Sequence, residues 1–302
     1  MPERRPPHLR RSWLFVGGSD SDALEAAAGS GADVAILELE DFTRPADRPG
    51  VRARAPALFA GWRERGIVAA VRVNPLETPD GMPDLEAVMA GGPDAVLLPK
   101  VAEPDQVARL DAEVARLEAA LRLEAGSTEL VPNVELARGL IQTHDICRAS
   151  ERVTGALVAS EDMAADLGAE RGPDGIELDY VRRRFIVECT AAGRLAIDCP
   201  YTWTDADGQD RDTRFARRLG YKAKSLVDPA HAAVVNAALT PSAVEVAKAG
   251  RVIAAFEAAQ AAGQGRAEVD GSLVEVPIYM NAKRLVARAA ELAAWPGGGG
   301  GA

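Results

Sequence analysis

Histidine and cysteine are scarce, with three of each among 302 residues. His8, His144 and His231 lie far apart, and Cys147, Cys189 and Cys199 show no CxxC spacing, so neither a zinc site nor a disulfide framework is expected. Aromatic residues make up 5%, little material for stacking sugar rings. Positive charge is in deficit: 35 basic against 45 acidic residues leave a net charge of −10. That argues against a nucleic-acid partner but not against small anions met by a local cationic pocket. No stretch approaches the roughly 20 apolar residues of a membrane span, and no apolar segment of the signal-peptide kind follows the basic start MPERRPPHLRR. Together these absences predict a soluble, cytoplasmic protein with no membrane or nucleic-acid partner.

What is present is a recurring unit. Runs rich in Val, Ile and Leu fall at Trp13–Val16, Val34–Leu39, Ile67–Val73, Ala95–Leu98, Leu130–Leu136, Val153–Val158, Leu195–Ile197 and Ala223–Val227. Runs that are apolar throughout, not alternating, belong to strands buried on both faces. Stretches of helical periodicity follow them: Ala23–Ala28, Leu85–Met89, Gln106–Leu123, Leu140–Ala149, Tyr180–Ala192, Arg211–Leu219 and Ala230–Ala238. Such units predict an α/β protein, a (β/α)8 TIM barrel over residues 1–240. The lack of GxGxxG after the first run speaks against a Rossmann sheet. Beyond the barrel, Pro241-Ser242 starts a helix over Ala243–Ala262, followed by Glu268–Pro277 and a helix from Ile278 to Ala294. This makes a C-terminal extension over 241–295, and the closing PGGGGGA, 296–302, is expected to be disordered.

The C-terminal ends of barrel strands carry the chemistry in this fold. Here six of the eight ends are charged: Glu38-Leu39-Glu40-Asp41, Arg72-Val73-Asn74, Lys100, Glu135, Glu161-Asp162 and Asp198. One such end would be ordinary solvated charge, whereas six predict a convergent polar pocket. Glu135 and Asp162 follow successive strands and can reach one point above the barrel. Two carboxylates there repel unless a cation joins them or one takes a proton. Mg2+ suits the first case, and a glycosidase-like dyad is the second. Arg72 can hold a carboxylate or an enolate oxygen, or form an ion pair with Glu40 or Asp41. Lys100 reads as an ion-pair partner of Glu40 or Glu135 more readily than as a Schiff-base lysine. Ser19 and Ser160 have no His nearby in sequence, and His231 reads as a surface or packing residue. The Gly17-Gly18-Ser19 turn can bind an anion through its amides, or simply be a tight turn.

With these residues in view, the sequence resembles the citrate lyase β-subunit-like family of the HpcH/HpaI aldolase superfamily from about Arg11 to Arg288. Arg11-Ser12-Trp13-Leu14-Phe15-Val16-Gly17-Gly18-Ser19 is similar to the family's RSxLFxPGS opening, and Glu38-Leu39-Glu40-Asp41 to its DLED. Val71-Arg72-Val73-Asn74-Pro75-Leu76 and Leu98-Pro99-Lys100-Val101 match unchanged. Val134-Glu135-Leu136-Ala137-Arg138-Gly139 is similar to IETARG, and Ser160-Glu161-Asp162-Met163-Ala164-Ala165-Asp166-Leu167-Gly168 to AEDLAADLG. The resemblance implies a Mg2+-dependent barrel acting on acyl-thioesters or 2-oxo acids, often as a trimer or a hexamer of trimers. It implies Glu135 and Asp162 as metal ligands, and Arg72 as the group that binds the substrate's carboxylate and steadies the enolate. It also implies a C-terminal lid that covers a neighbouring subunit's site. The chain departs from the family at four places. Glu275, in Leu273-Val274-Glu275, stands for a general acid/base Asp; Asp228, in Val227-Asp228-Pro229, for a His; Gly17 for a Pro; Glu38 for an Asp.

The sequence thus leads to a Mg2+-dependent carbon–carbon lyase acting through an enolate on a CoA thioester such as malyl-CoA or citramalyl-CoA. Its expected catalytic residues are Arg72 and Glu275, its substrate-binding residues Arg72, Glu40, Asp41 and Glu135, and its metal ligands Glu135 and Asp162. The expected assembly is a homotrimer or hexamer. The alternatives are a CoA-free 2-oxo acid aldolase, an acyl-CoA thioester hydrolase, and a ligand-binding subunit of a larger lyase complex.

Overall fold

The structure is a computed structural model that describes residues 3–295; the segment 296–302, expected to be disordered, lies outside the described residues. Eight parallel strands, β1 (Ser12–Gly17), β2 (Val34–Glu38), β3 (Val68–Arg72), β4 (Ala95–Leu98), β5 (Glu129–Val134), β6 (Gly155–Val158), β7 (Leu195–Asp198) and β8 (Ala223–Leu226), pair in chain order. The barrel closes where β8 returns to β1 through Ser12↔Lys224, Trp13↔Ser225 and Leu14↔Leu226. Between and after the strands run α1 (Ser21–Ala27), α2 (Arg48–Glu64), α3 (Gly81–Met89), α4 (Pro104–Leu121), α5 (Ala137–Leu140), α6 (Thr143–Arg148), α7 (Glu161–Leu167), α8 (Asp179–Ala191), α9 (Ala206–Leu219) and α10 (Ala232–Leu239). The architecture is the expected (β/α)8 barrel.

The period of two along each strand explains the unbroken apolar runs. Trp13, Phe15, Val34, Ile36, Val68, Ala70, Ala95, Leu97, Val131, Leu157, Ile197 and Ala223 pack together as one buried cluster inside the barrel. The alternate residues Leu14, Val16, Ala35, Leu37, Ala69, Val71 and Val96 join a second cluster with Phe59, Trp62, Leu85, Leu110 and Val114 from the helices. Helix α2 is absent from the sequence reading because Pro49, Pro56 and several arginines obscure it. Its buried positions Val51, Ala55, Phe59 and Trp62 nonetheless keep helical spacing, and Pro49 sits in the first turn, where no N–H is lost.

Asp198 departs from expectation. Ile197 fills the barrel, so Asp198, next along a four-residue strand, faces the helix layer and not the strand-end pocket. Arg182 of α8 donates to both of its carboxylate oxygens at 2.9 and 2.7 Å, and Lys224 of β8 donates at 2.6 Å. Asp212 of α9 lies 2.5 Å from Lys224 and 2.7 Å from Arg182. Burial works to lower the Lys224 pKa, but Asp198 and Asp212 hold it above its ordinary value. This network ties α8, α9 and β8 to β7.

The chain divides into two compact units between Leu239 and Thr240. The second holds α11 (Ala243–Ala261), the antiparallel hairpin of β9 (Ala267–Val269) and β10 (Ser272–Val274), and α12 (Val276–Ala294). Ser242 and Glu245 form a capping box at the start of α11. Within the expected C-terminal extension, the hairpin adds to the two helices that the sequence predicts. It turns on Asp270-Gly271, both at positive φ, the two-residue loop that an Asp-Gly pair favours. Ala249, Val252, Phe256, Val274 and Ala282 form the unit's own core. No helix among the described residues is long and apolar enough to cross a membrane.

Removing one member of a buried ion network leaves its partners uncompensated at a cost of about 3–5 kcal/mol. Lys224→Met is expected to lose that much stability in urea denaturation; a loss below about 1 kcal/mol would show that Asp198 and Asp212 do not depend on it.

Candidate active site

The site begins with a carboxylate that shapes backbone. Glu38, last in β2, shares the inward phase of Val34 and Ile36 and pairs in register with Gly17 on one side and Arg72 on the other. Its Oε1 accepts from the amides of Glu40 at 2.6 Å and Asp41 at 3.2 Å, and Oε2 from that of Phe42 at 2.5 Å. The Thr43 hydroxyl donates to the Glu38 carbonyl, and the Gly18 amide donates to Thr43 Oγ1 at 2.7 Å. The Gly17-Gly18-Ser19 turn therefore works as a tight turn, with the Gly18 amide already engaged.

Arg72 ends β3 beneath this loop, buried. Its Nε donates to Glu38 Oε1 at 3.0 Å, and Nη1 lies 3.3 Å from Glu135 Oε1 and 3.4 Å from Glu40 Oε2. Nη2 makes no hydrogen bond among the described residues and lies 3.7 Å from Asp41 Oδ2. Burial works to lower the guanidinium pKa, but Glu38, Glu135, Glu40 and Asp41 together hold it above its ordinary value. The structural ion pair and the free donor are thus both present in one side chain.

Lys100 follows β4 in the left-handed region, φ 53°, uncommon for a residue with a side chain. The turn aims its amide at Glu135 Oε2, 3.3 Å away, while Nζ donates to Glu40 Oε1 at 2.6 Å. Burial would lower the ammonium pKa; Glu40, Asp41 and Glu135 raise it on balance, so it is a charged partner and not a neutral nucleophile.

Glu135 lies just past β5, fully buried, with Asn133 Nδ2 3.4 Å away. Burial, reinforced by Glu40 and Asp162 against Arg72 and Lys100, pushes its pKa up to about 8. Asp162, in the first turn of α7, is half-buried and has no hydrogen-bond or ion-pair partner among the described residues. Five carboxylates, Glu38, Glu40, Asp41, Glu135 and Asp162, face two cations, Arg72 and Lys100. Such an excess attracts a hard cation or protons. No group of three or more His, Cys, Asp or Glu among the described residues is arranged to hold a metal. The donor set suits an ion content with one or two carboxylates plus water or substrate oxygens, as Mg2+ is.

Other candidates fall outside this cluster. Among the described residues, Ser160 Oγ is buried without a hydrogen-bond partner, Ser19 Oγ accepts from the Arg44 amide at 3.2 Å, and His231 is buried with Nε2 3.3 Å from the Thr204 carbonyl, so no Ser–His pair forms among them. Asp228 caps a short turn by accepting from the Ala230 amide at 2.8 Å. Glu275, in the second unit, is the exposed residue before α12 and makes no capping hydrogen bond with its side chain. A shallow, solvent-open cleft lined by Arg171, Leu178, Arg182, Tyr201, Trp203 and Asp212 lies beside the β7 end. Its arginines are paired, Arg171 with Glu161 and Glu177 and Arg182 with Asp198 and Asp212, so it offers no free charge. Phe15, Phe42 and Asn133, which line the Arg72–Glu135 cluster, escaped the sequence reading. An aromatic placed directly after the charged Glu38–Asp41 end was the one available signal.

The HpcH/HpaI aldolase/citrate lyase family model matches residues 11–229. The chain belongs to this family. Among its relatives, it is 32% identical to the citrate lyase subunit beta of Escherichia coli K12 over 95% of each chain. It is 34% identical to the (3S)-malyl-CoA thioesterase of Cereibacter sphaeroides over 95% of this chain and 97% of that one. The structure is similar to that of the protein CitE from Mycobacterium tuberculosis in complex with magnesium, acetoacetate and coenzyme A. The TM-score is 0.73 at 30% identity, over 93% of this chain and 98% of that one. Family members thus include lyase subunits and thioesterases alike.

The raised pKa of Glu135 has a consequence for stability. A carboxyl whose folded pKa exceeds its unfolded value stabilises the fold fully below the unfolded pKa, and this is lost as pH rises through the folded one. In EDTA, the melting temperature is therefore expected to fall between pH 5 and roughly pH 8, the value near which Glu135 titrates. Glu135→Gln should flatten that slope; parallel pH curves for parent and variant would refute the assignment.

Proposed function

We propose that this chain is a Mg2+-dependent carbon–carbon lyase that makes or breaks a bond beside a carboxylate through an enolate. Its substrate is read as a CoA thioester of a hydroxy dicarboxylic acid such as malyl-CoA or citramalyl-CoA. The observation that carries the reading is the carboxylate excess around Arg72, with Glu135 driven towards protonation and Asp162 unpartnered among the described residues. Glu135 and Asp162 would hold the ion. Mg2+, when bound, supplies a Lewis acid and a template for a carboxylate and its neighbouring oxygen. Arg72 uses Nε and Nη1 to keep its place and Nη2 to hold the substrate's carboxylate or the enolate oxygen as charge develops there. Glu40 and Asp41 orient Arg72 and Lys100 at the substrate's edge, and Glu275 exchanges a proton with the enolate carbon. Magnesium and coenzyme A in the CitE complex, and malyl-CoA as the thioesterase relative's substrate, support these choices.

The identity to a malyl-CoA thioesterase also favours a second reading, hydrolysis of the thioester. The two differ in product: cleavage releases a 2-oxo acid or aldehyde acid with the acyl-CoA intact, and hydrolysis releases free thiol. Asp162→Asn is expected to abolish both turnover and the Mg2+-dependent rise in melting temperature while the metal-free fold survives. Parent-like Mg2+ affinity in both Asp162→Asn and Glu135→Gln would remove the site.

Around Glu275, Leu273, Val276, Ile278 and Met280 are exposed, an apolar group that favours burial against another subunit. We read the protein as a homotrimer, or a hexamer of trimers, in which Glu275 completes a neighbour's site. Glu also reaches further than Asp by one methylene, and a displacement of about 1 Å can cost roughly 100-fold in rate. Mixing inactive Glu275→Ala with inactive Asp162→Asn should restore part of the activity, since exchange creates sites with both groups intact. No recovery after verified exchange would place Glu275 in cis or outside the reaction.

A further inference from the structure

Phe42 has no evident structural reason to stand where it does. It is 48% exposed, yet its loop is rigidly fixed: the Glu38 carboxylate holds its amide at 2.5 Å, and the next residue, Thr43, is bonded to the Glu38 carbonyl and the Gly18 amide. The loop also presses on β1 so closely that a Cβ on Gly17 would lie 2.6 Å from the Phe42 carbonyl oxygen. Gly17 is therefore required by the position of Phe42. The Arg72 guanidinium carbon lies 5.8 Å from the centre of the Phe42 ring and 5.0 Å from that of buried Phe15, within cation–π range of both. Phe15 belongs to the barrel core; Phe42 is its exposed counterpart at the rim. Beside the guanidinium, whose Nη2 is free of hydrogen bonds among the described residues, stand this ring and Asp41, a negative charge 3.7 Å from Nη2.

We propose that Phe42 is a specificity-determining residue, an apolar wall that selects for an alkyl side chain on the 2-oxo acid half of the substrate. This rests on the lyase reading, in which that fragment is held at Arg72 by its carboxylate or enolate oxygen. A group attached next to that oxygen meets the Phe42 ring. A methyl or ethyl group gains by covering the ring, while a second carboxylate would leave water for an aromatic face within a cluster already rich in carboxylate. The substrate class narrows to thioesters whose cleavage yields an alkyl 2-oxo acid, and acids with a carboxymethyl group in that position are disfavoured.

The test is isothermal titration of the full-length, Mg2+-saturated protein with pyruvate, 2-oxobutyrate, 2-oxovalerate and oxaloacetate. Affinity is expected to rise about fourfold for each added carbon, with oxaloacetate weaker than 2-oxobutyrate by about tenfold. In Phe42→Ser the rise should flatten and oxaloacetate should gain on the alkyl acids, while pyruvate binding changes less than about threefold. Phe42→Leu should keep the parent's order, and Gly17→Ala, which displaces the loop through the Phe42 carbonyl, should weaken the preference. A flat series in the parent, or a preference that survives in folded Phe42→Ser, overturns the role of Phe42 while leaving the lyase reading intact. If none of the four acids binds the Mg2+-saturated parent, the lyase reading fails, and the proposal with it.

Discussion

Each barrel strand is buried on both faces, and charge can meet substrate only where strands end. That constraint sorts the ionisable residues of this chain into two kinds. Glu38 and Arg72 sit at strand ends in the inward phase and converge with Glu135 just past β5. Asp198 and Lys224 sit one phase out, where a charge meets the helix layer and must find a partner there. The same residue types do opposite work in the two places: beneath the helices the charges neutralise one another, and above the barrel they do not.

The strand-end cluster is a poor arrangement for stability. Among the described residues, Glu135 has only hydrogen bonds longer than about 3 Å to offset its burial, and Asn133 directly below it leaves its amide oxygen unpartnered in a site with no exposure. Fully satisfied networks rigidify a fold, and partly satisfied ones cost it. Local instability of this kind is common where a site waits for a ligand to complete it.

The fold was legible because its cause is simple. Burial on both faces makes most residues of a strand apolar, so the eight runs fall within two residues of the observed strands at either end. Helix α2 was lost to Pro49 and Pro56. In the candidate site, Arg72, Glu40, Lys100 and Glu135 were legible because each charge stands at or near the end of an apolar run, and the Lys100–Glu40 pair is one of the two that the sequence offers. Phase was the missing quantity. A strand of four residues does not announce which of Ile197 and Asp198 faces inward. Nor does a sequence show that Glu38, which stands for an aspartate in the motif it resembles, bends back to gather three amides of its own loop.

The seam between β8 and β1 joins residues roughly 200 positions apart, Ser12 with Lys224. At ribosomal rates of about 5–20 residues per second, the free edge of β1 waits on the order of ten to forty seconds for its partner. Over that time Trp13, Leu14, Phe15 and Val16 are an apolar strand in search of a neighbour. Arg10 and Arg11 stand immediately before it, and charge flanking an apolar strand discourages pairing with other chains. In the finished protein the same two arginines bind Glu129 and Asp33, so the residues that guard the nascent edge become, once the seam closes, part of what fastens the barrel at its other end.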